Sequence, residues 1–301
     1  VLIAMAAVDY SGTRGAAGPT LEAELHAGRN QMKILTWNVQ WGKGCDGRVD
    51  LGRIADVARA MDDPDVLCFQ EIGVNYEVLG AGDQPAELAR LFPGFAVIFR
   101  PAIDAPASGR AFGNVVLSRF PVLQVVNHLL PRPPEPGVKT MQRQALEAVV
   151  AAPFGPVRVI STHLEFYSAT HRVAQVEALA RIEAEVAARA RLGEALGPEA
   201  GPYETLPRPA TTALCGDFNF EPGWPEYAAL SRTFKDAWRV LHGERPHDPT
   251  CGVHDREQWK EGPNARDYVF LSTDLAQRLV GIRVDTETDA SDHQPVLAVF
   301  E

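Results

Sequence analysis

The sequence predicts an α/β protein built on stacked β-sheet. Short apolar runs of strand length recur along the 301 residues, and several are apolar without alternation, as strands covered on both faces are. Between them, apolar residues at helical spacing mark helices after Asp50 and after Arg172. Single polar residues stand at the ends of successive strands, where sheet enzymes place their chemistry. A 46% hydrophobic content supports a substantial core, and this length is compatible with one large sheet domain.

Residues 1–31 open on a short apolar piece and become Gly/Ala/Thr-rich, without the basic start of a secretory leader. They are expected as a loosely held extension ahead of a single domain over 32–301, and a cytoplasmic location is the default. Residues 34–39 read as a strand with Asn38 near its end, followed by a Gly-rich loop over 42–47. Asp50 can cap a helix whose face is Leu51, Ile54, Val57, Ala58 and Met61. Pro64 stops it, and the apolar run 66–69 then delivers Gln70 and Glu71 at its far end, a βαβ-like start. Residues 95–99, 114–118 and 122–126 give three more strands, with loops at 101–108 and 119–121, and the proline-dense stretch 128–139 reads as a stiff irregular loop. A hairpin over 144–152 and 157–162 delivers His163. A helix carrying Val173, Val176, Leu179, Ile182 and Val186 follows, then a Gly/Pro-rich connection over 193–209. Past the strand at 213–217, helices are expected at 224–232 and 234–241, a long polar loop at 242–264, and strands at 267–271, 282–284 and 296–300.

The formal net charge of −10 gives no general pull toward a phosphate backbone or an anionic bilayer, and no apolar run is long enough to cross a membrane. Cys45, Cys68, Cys215 and Cys251 form no CxxC and no zinc-like spacing; Cys68 and Cys215 sit in apolar strands as small buried hydrophobes. No internal repeat marks a solenoid.

The stretch Leu214-Cys215-Gly216-Asp217-Phe218-Asn219 concentrates the chemistry. Gly216 frees the backbone, and strand periodicity puts Asp217 and Asn219 on one side, although G-D-x-N alone is also an ordinary turn. Glu71 alone reads equally as a solvated strand-end carboxylate, and a lone histidine such as His163 as structural. The repetition of one placement makes the argument: Asn38, Glu71, His163, Asp217, Asn219, Asp267, Asp292 and His293 all stand at strand ends. Carboxylates and amides without a cysteine cluster suit a hard cation, Mg²⁺ first, with Mn²⁺ or Ca²⁺ as alternatives. The two histidines and remaining acids would supply proton transfer. His247 and His254 have no metal-ligand spacing.

Taken together, L-T-W-N-V-Q (35–40), F-Q-E (69–71), G-N-V-V-L-S-R-F-P (113–121), S-T-H-L (161–164), G-D-F-N (216–219), R-D-Y-V (266–269) and S-D-H-Q-P-V (291–296) resemble the endonuclease/exonuclease/phosphatase superfamily, in its order. The resemblance implies a four-layer α/β/β/α sandwich, two packed mixed β-sheets flanked by helices, with the site at one end of the sheets. It implies a metal held by Glu71 with Asn38 and Asp292, and an attacking water oriented or deprotonated by Asp217 with help from Asn219. It further implies that His293 contacts the phosphoryl oxygen or shares the acid/base role, its tautomer fixed by Asp267, and that His163 donates to a non-bridging oxygen. Arg143 resembles a position that contacts phosphate or orders the site, with Asn38 beside it. Gln40 stands where apurinic-site endonucleases carry an acid, which sets the chain apart from them. No carboxylate partner for His163 is assignable from the sequence.

The expectation is therefore a metal-dependent phosphoesterase with in-line attack of water on phosphorus, acting on a small-molecule or lipid-head-group phosphate ester. Nucleic acid as substrate is the less favoured reading, and a catalytically silent binding scaffold the third. Glu165, Tyr167, His171, Arg172 and Gln175 are candidates to line the pocket, or equally the solvated face of the helix that follows. A closed pit under the proline-rich and 242–264 loops would point to a small molecule, a long basic groove to a polymer.

Overall fold

The computed structural model describes residues 30–192, 201 and 204–301. Most of the expected N-terminal extension (1–29) and part of the 193–209 connection (193–200, 202 and 203) lie outside the described residues.

The chain enters through β1 (Met32–Asn38), whose residues are almost all buried because both faces are covered. Asp50 accepts a hydrogen bond from Arg53 N at 3.1 Å and starts α1 (Leu51–Ala60), which returns the chain to β2 (Val66–Tyr76), parallel to β1. β2 is longer than the apolar run 66–69 suggested. A register shift against its sheet neighbour Arg110–Ser118 falls between Phe69 and Ile72, so Glu71 sits on an irregularity inside the strand and not at its far end. After β3 (Ala81–Asp83) comes a helix the sequence reading lacked, α2 (Gln84–Leu91), capped by Asp83 on Ala86 N at 3.1 Å with a proline in its first turn.

β4 (Ala96–Ala105) and β5 (Arg110–Ser118) form a hairpin that runs through the expected 101–108 loop. Pro101 is tolerated because β4 is an edge strand. β6 (Val122–Leu129) likewise takes His128 out of the proline-rich loop and into a strand. β7 (Gln144–Ala152), β8 (Gly155–His163), α3 (Ala169–Leu192), β9 (Thr212–Asp217) and α4 (Pro225–Leu230) follow. The segment expected as a helix over 234–241 divides into β10 (Lys235–Asp236) and α5 (Ala237–His242), because Asp236 pairs with Phe270 and then caps α5 through Trp238 N at 2.9 Å. β11 (Asp267–Leu271), α6 (Thr273–Ala276), β12 (Leu279–Val284) and β13 (Val296–Phe300) complete the chain.

One sheet has the order β12-β13-β1-β2-β5-β4, with β3 on β2; the other has the order β10-β11-β9-β8-β7-β6. Each is mixed, with a single parallel pair at its centre, β1–β2 and β8–β9. Period-2 alternation divides the strand residues between layers. Met32, Ile34, Cys68, Val116, Ala148, Val159, Cys215 and Val269 meet between the sheets. Leu35, Trp37, Leu67 and Phe69 pack outward against α1 and α2, and Ile160, Leu214 and Phe270 pack against α3 and α4. This is the α/β/β/α sandwich. A buried ion cluster also fastens α3 to its sheet: Arg158 bonds Glu147 at 3.2 Å and Glu183 of α3 at 3.0 Å. Among the described residues no helix is long and apolar enough to cross a membrane.

Candidate active site

Strand direction alone brings the polar residues to one end of the sandwich. Asn38, His163 and Asp217 terminate β1, β8 and β9 of the two parallel pairs. β11 runs against β9, so its first residue, Asp267, lies opposite Asp217. β13 runs against β1, so the segment leading into it arrives beside Asn38, where Ser291 Oγ donates to the Asn38 carbonyl at 2.8 Å. Trp37 Nε1 donates to the His293 carbonyl at 2.9 Å and fixes that segment from below.

Close backbone approach joins β8 to β9. Gly216 has φ +143°, and a Cβ there would stand 1.9 Å from the Thr162 carbonyl oxygen. Seven described non-glycine residues have positive φ, and four of them, Gln40, Trp41, Glu71 and Asn219, border one cavity of about 550 Å³. Strain of this kind gathers at functional sites. Asn219 is therefore not on Asp217's strand face: Asp217 Oδ1 accepts Asn219 N at 2.9 Å in a local turn, and Asn219 Nδ2 donates to the Leu164 carbonyl at 3.0 Å.

The same cavity is lined by Asn38, Glu71, Arg143, His163, Asp217, Asn219, Asp292 and His293. Asp267 lies just behind it, its Oδ2 2.8 Å from His293 Nδ1 and accepting Thr250 Oγ1 at 2.7 Å. His293 Nε2 is 3.7 Å and His163 Nε2 3.3 Å from Asp217 Oδ2, so His163 does have a carboxylate neighbour. It is supplied by the next strand, which is why sequence spacing did not reveal it. Asn38 Nδ2 donates to Asp217 Oδ2 at 3.0 Å and Glu71 Oε1 at 3.2 Å, while its oxygen accepts Gln40 N at 3.1 Å. Asn38 thus bridges Asp217 and Glu71 through its amide nitrogen.

Charge is divided unequally across the site. Burial opposes the ionised form of Asp217, but His293 and His163 hold its carboxyl below the usual value. Burial likewise opposes a charged His293, yet Asp267, Asp217 and Asp292 raise it well above an ordinary histidine. His163 is pushed well below one by burial and by Arg143. Asp267 rises to about 6, and Glu71 to about 7, from burial first and then from neighbouring acids, Asp292 in the case of Glu71. Partly exposed Glu71 and buried Asp292 repel each other and make an oxygen-rich pair suited to a hard divalent cation. Asp217, Asp267 and His293 also lie within 4.8 Å of one another and form a second candidate group. There, His293 Nδ1 is already taken by Asp267.

Arg143 is buried at the cavity wall, its Nε 3.5 Å from Glu165 Oε2 and its Nη1 without a hydrogen-bond partner. Glu165 and Tyr167 line the cavity as expected, but His171, Arg172 and Gln175 do not. They brace its floor: Arg172 Nη1 donates to the Glu165 and Phe166 carbonyls, Gln175 Oε1 accepts Glu165 N, and His171 faces Glu135. Several contributors were not singled out from the sequence. Gln70 Nε2 reaches across the sheets to Ser161 Oγ at 3.0 Å and Asn114 Nδ2 to the Ser161 carbonyl at 3.1 Å, fixing β8 just before His163. Their signal was a polar residue inside an apolar strand. Gln258 Nε2 and Trp259 Nε1 donate to Asp292 Oδ2 at 2.7 and 3.2 Å from the long loop, a contact no local pattern announces.

A family model described as the Endonuclease/Exonuclease/phosphatase family matches residues 35–293. The chain belongs to this family. Its members are hydrolases that act on phosphoesters. This Endonuclease/Exonuclease/phosphatase member superposes on a protein of that description from Beutenbergia cavernae with TM-score 0.66 and 25% identity, over 91% of this chain and 72% of the other. It is similar in fold to a Neisseria 3′ phosphatase bound to a product DNA hairpin (TM-score 0.61, 21% identity, 90% and 99% covered). It is also similar in fold to a mannosyl-6-phosphatase from Bacteroides thetaiotaomicron (0.62, 16%, 89% and 98%). No curated protein sequence matches the chain.

Proposed function

We propose that this protein is a divalent-metal-dependent phosphoesterase acting by in-line attack of water on a small-molecule or lipid-head-group phosphate ester. The observation that carries the reading is one cavity of about 550 Å³ in which the Glu71–Asp292 acid pair, an acid–histidine network and an arginine whose Nε and Nη1 have no hydrogen-bond partner converge. Among the described residues that line it, Lys139 and Arg143 are the lysine and arginine, and Lys139–Met141, at the end of the proline-rich segment, and Gln258–Trp259 of the long loop border it. That sparse positive charge favours a small ester over a polymer threading a basic groove.

Glu71 and Asp292 would hold the cation, Mg²⁺ first. When bound it neutralises charge developing on the phosphoryl oxygens. Arg143 binds the phosphate through its free Nη1, as guanidinium groups do. Asp217, ionised and held below the usual carboxylate range, orients the attacking water, and Asn219 fixes Asp217 through its backbone N–H. His293, cationic and locked by Asp267, donates to a phosphoryl oxygen, and His163 supplies a second, neutral donor.

Hydrolysis by metal-stripped protein, with and without Mg²⁺, Mn²⁺ or Ca²⁺, tests this reading. The panel is p-nitrophenyl phosphate, bis-p-nitrophenyl phosphate, a choline phospholipid and supercoiled plasmid, with Asp217→Ala as the blank. Metal-dependent turnover of a small ester or the phospholipid, absent from the blank, is expected. Plasmid cleavage alone would turn the reading to a nuclease, and no turnover with any metal would leave a binding scaffold.

A further inference from the structure

The catalytic end of the cavity is polar, but a strip of aromatic side chains leads out of it. Trp259 stands edge-on to His293 with ring centroids 5.4 Å apart, Phe166 to Trp259 at 6.0 Å, and Tyr167 to Phe166 at 4.9 Å. Phe166 and Tyr167, just past β8, are 40% and 57% exposed, far more than a ring placed only for packing. From the other sheet Trp41 borders the same cavity. Its backbone is held at φ 47°, ψ 28°, a region unfavourable for a bulky residue, with its carbonyl clamped by Gln84 Nε2 at 2.6 Å. At the rim, Lys139 Nζ lies 5.4 Å from the Tyr167 ring centroid, and no carboxylate partners it among the described residues.

Hydrolysis of a bare phosphate has no use for such a strip. We propose that it is the leaving-group subsite, and that the substrate is a phosphate ester of a planar aromatic group bearing a second anionic substituent. The ring packs on Phe166 and Tyr167, and the anion meets Lys139 at the rim. The proposal rests on the phosphoesterase reading and names the substrate class for that same site. Stacked or edge-on rings recognise a flat partner over a puckered one of equal bulk, and an ammonium without a carboxylate partner favours a negative group brought beside it.

Benzyl phosphate and cyclohexylmethyl phosphate test the strip, because both release a primary alkoxide and differ in the flatness of the ring. The wild type is expected to prefer the benzyl ester by about tenfold in kcat/KM, the order of an aromatic contact. Tyr167→Ala should reduce that ratio toward one, with circular dichroism confirming its fold. A 4-carboxybenzyl ester should gain further over benzyl, and Lys139→Met should remove that gain. Equal rates on benzyl and cyclohexylmethyl esters, or a preference that survives Tyr167→Ala, would overturn the subsite while leaving the phosphoesterase standing. Should no ester turn over, the phosphoesterase reading fails separately. Calorimetry with benzylphosphonate against cyclohexylmethylphosphonate then decides the subsite, tighter binding of the flat ring supporting it and equal binding refuting it.

Discussion

Replacing Gly216 with alanine places a methyl group where a neighbouring carbonyl already stands. The new Cβ would lie 1.9 Å from Thr162 O and 2.8 Å from Thr162 C, both backbone atoms that cannot rotate away. The substitution also forces an L-residue to φ +143°, at a cost of about 1–3 kcal/mol, and separating the strands adds about 1–3 kcal/mol of overpacking. The sum, about 2–6 kcal/mol, is a large part of a total stability on the order of 5–15 kcal/mol and corresponds to a fall in Tm of about 4–12 °C. Activity should fall further than stability requires, because Thr162–Gly216 is the pair next to His163–Asp217 in the parallel register. Calorimetric melting and hydrolysis below the transition would be measured for Gly216→Ala beside Gly223→Ala, where no atom lies within 4 Å of the added Cβ. A Gly216→Ala protein with the melting point and turnover of the Gly223 control would refute the account of how β8 and β9 set the site.

Asp267→Asn removes the carboxylate that raises His293, so the imidazole should titrate lower, its charged fraction at neutral pH should drop, and kcat should fall roughly 10²–10⁴-fold. An unchanged His293 titration by NMR would count against the assignment. Glu147, fully buried, accepts from Arg208 at 2.8 Å, His128 at 3.1 Å and Arg158 at 3.2 Å, and despite burial these partners hold its carboxyl well below the ordinary glutamate value of 4.5. Its contribution is thus full above pH 4.5 and lost as pH falls toward the folded value. Glu147→Gln should lose about 3–5 kcal/mol at neutral pH, with the two stability curves converging in acid; parallel curves in urea titrations would contradict this. Trp259→Phe deletes the indole N–H on Asp292 and should weaken divalent-cation affinity about 10–100-fold by calorimetry, with little change in Tm.

Strand-end residues were legible because covered strands leave long apolar runs, against which Asn38, His163, Asp217 and Asp267 stand out one at a time. Asp50 as a cap was legible for a local reason, a side chain bonding three residues ahead. Glu71's position inside β2 was not, because a bulge is set by the partner strand β5 rather than by the residues around it. The α2 helix was hidden by its length: eight residues give too few turns for periodicity to show, and only its capping aspartate and proline mark it. The roles of His171, Arg172 and Gln175 inverted because a helix face shows which residues are polar but not whether they face a cavity or the loop beneath it.

The bond from Trp37 Nε1 to the His293 carbonyl spans 256 residues, and that from Ser291 Oγ to the Asn38 carbonyl spans 253. β13 lies in the sheet beside β1, so the site closes only when a segment that far downstream of Asn38 pairs with the strand that carries it. Asn38, Glu71, His163 and Asp217 can be in place on a growing polypeptide while Asp292 and His293 are still within the ribosome. Under the proposed assignment such a chain holds half a metal site and no cationic imidazole, so it is inert toward phosphate esters until β13 has zipped onto β1. Turnover then reports the closure of β13 on β1, and long-range pairing of this kind is the slow step expected for so non-local a sheet.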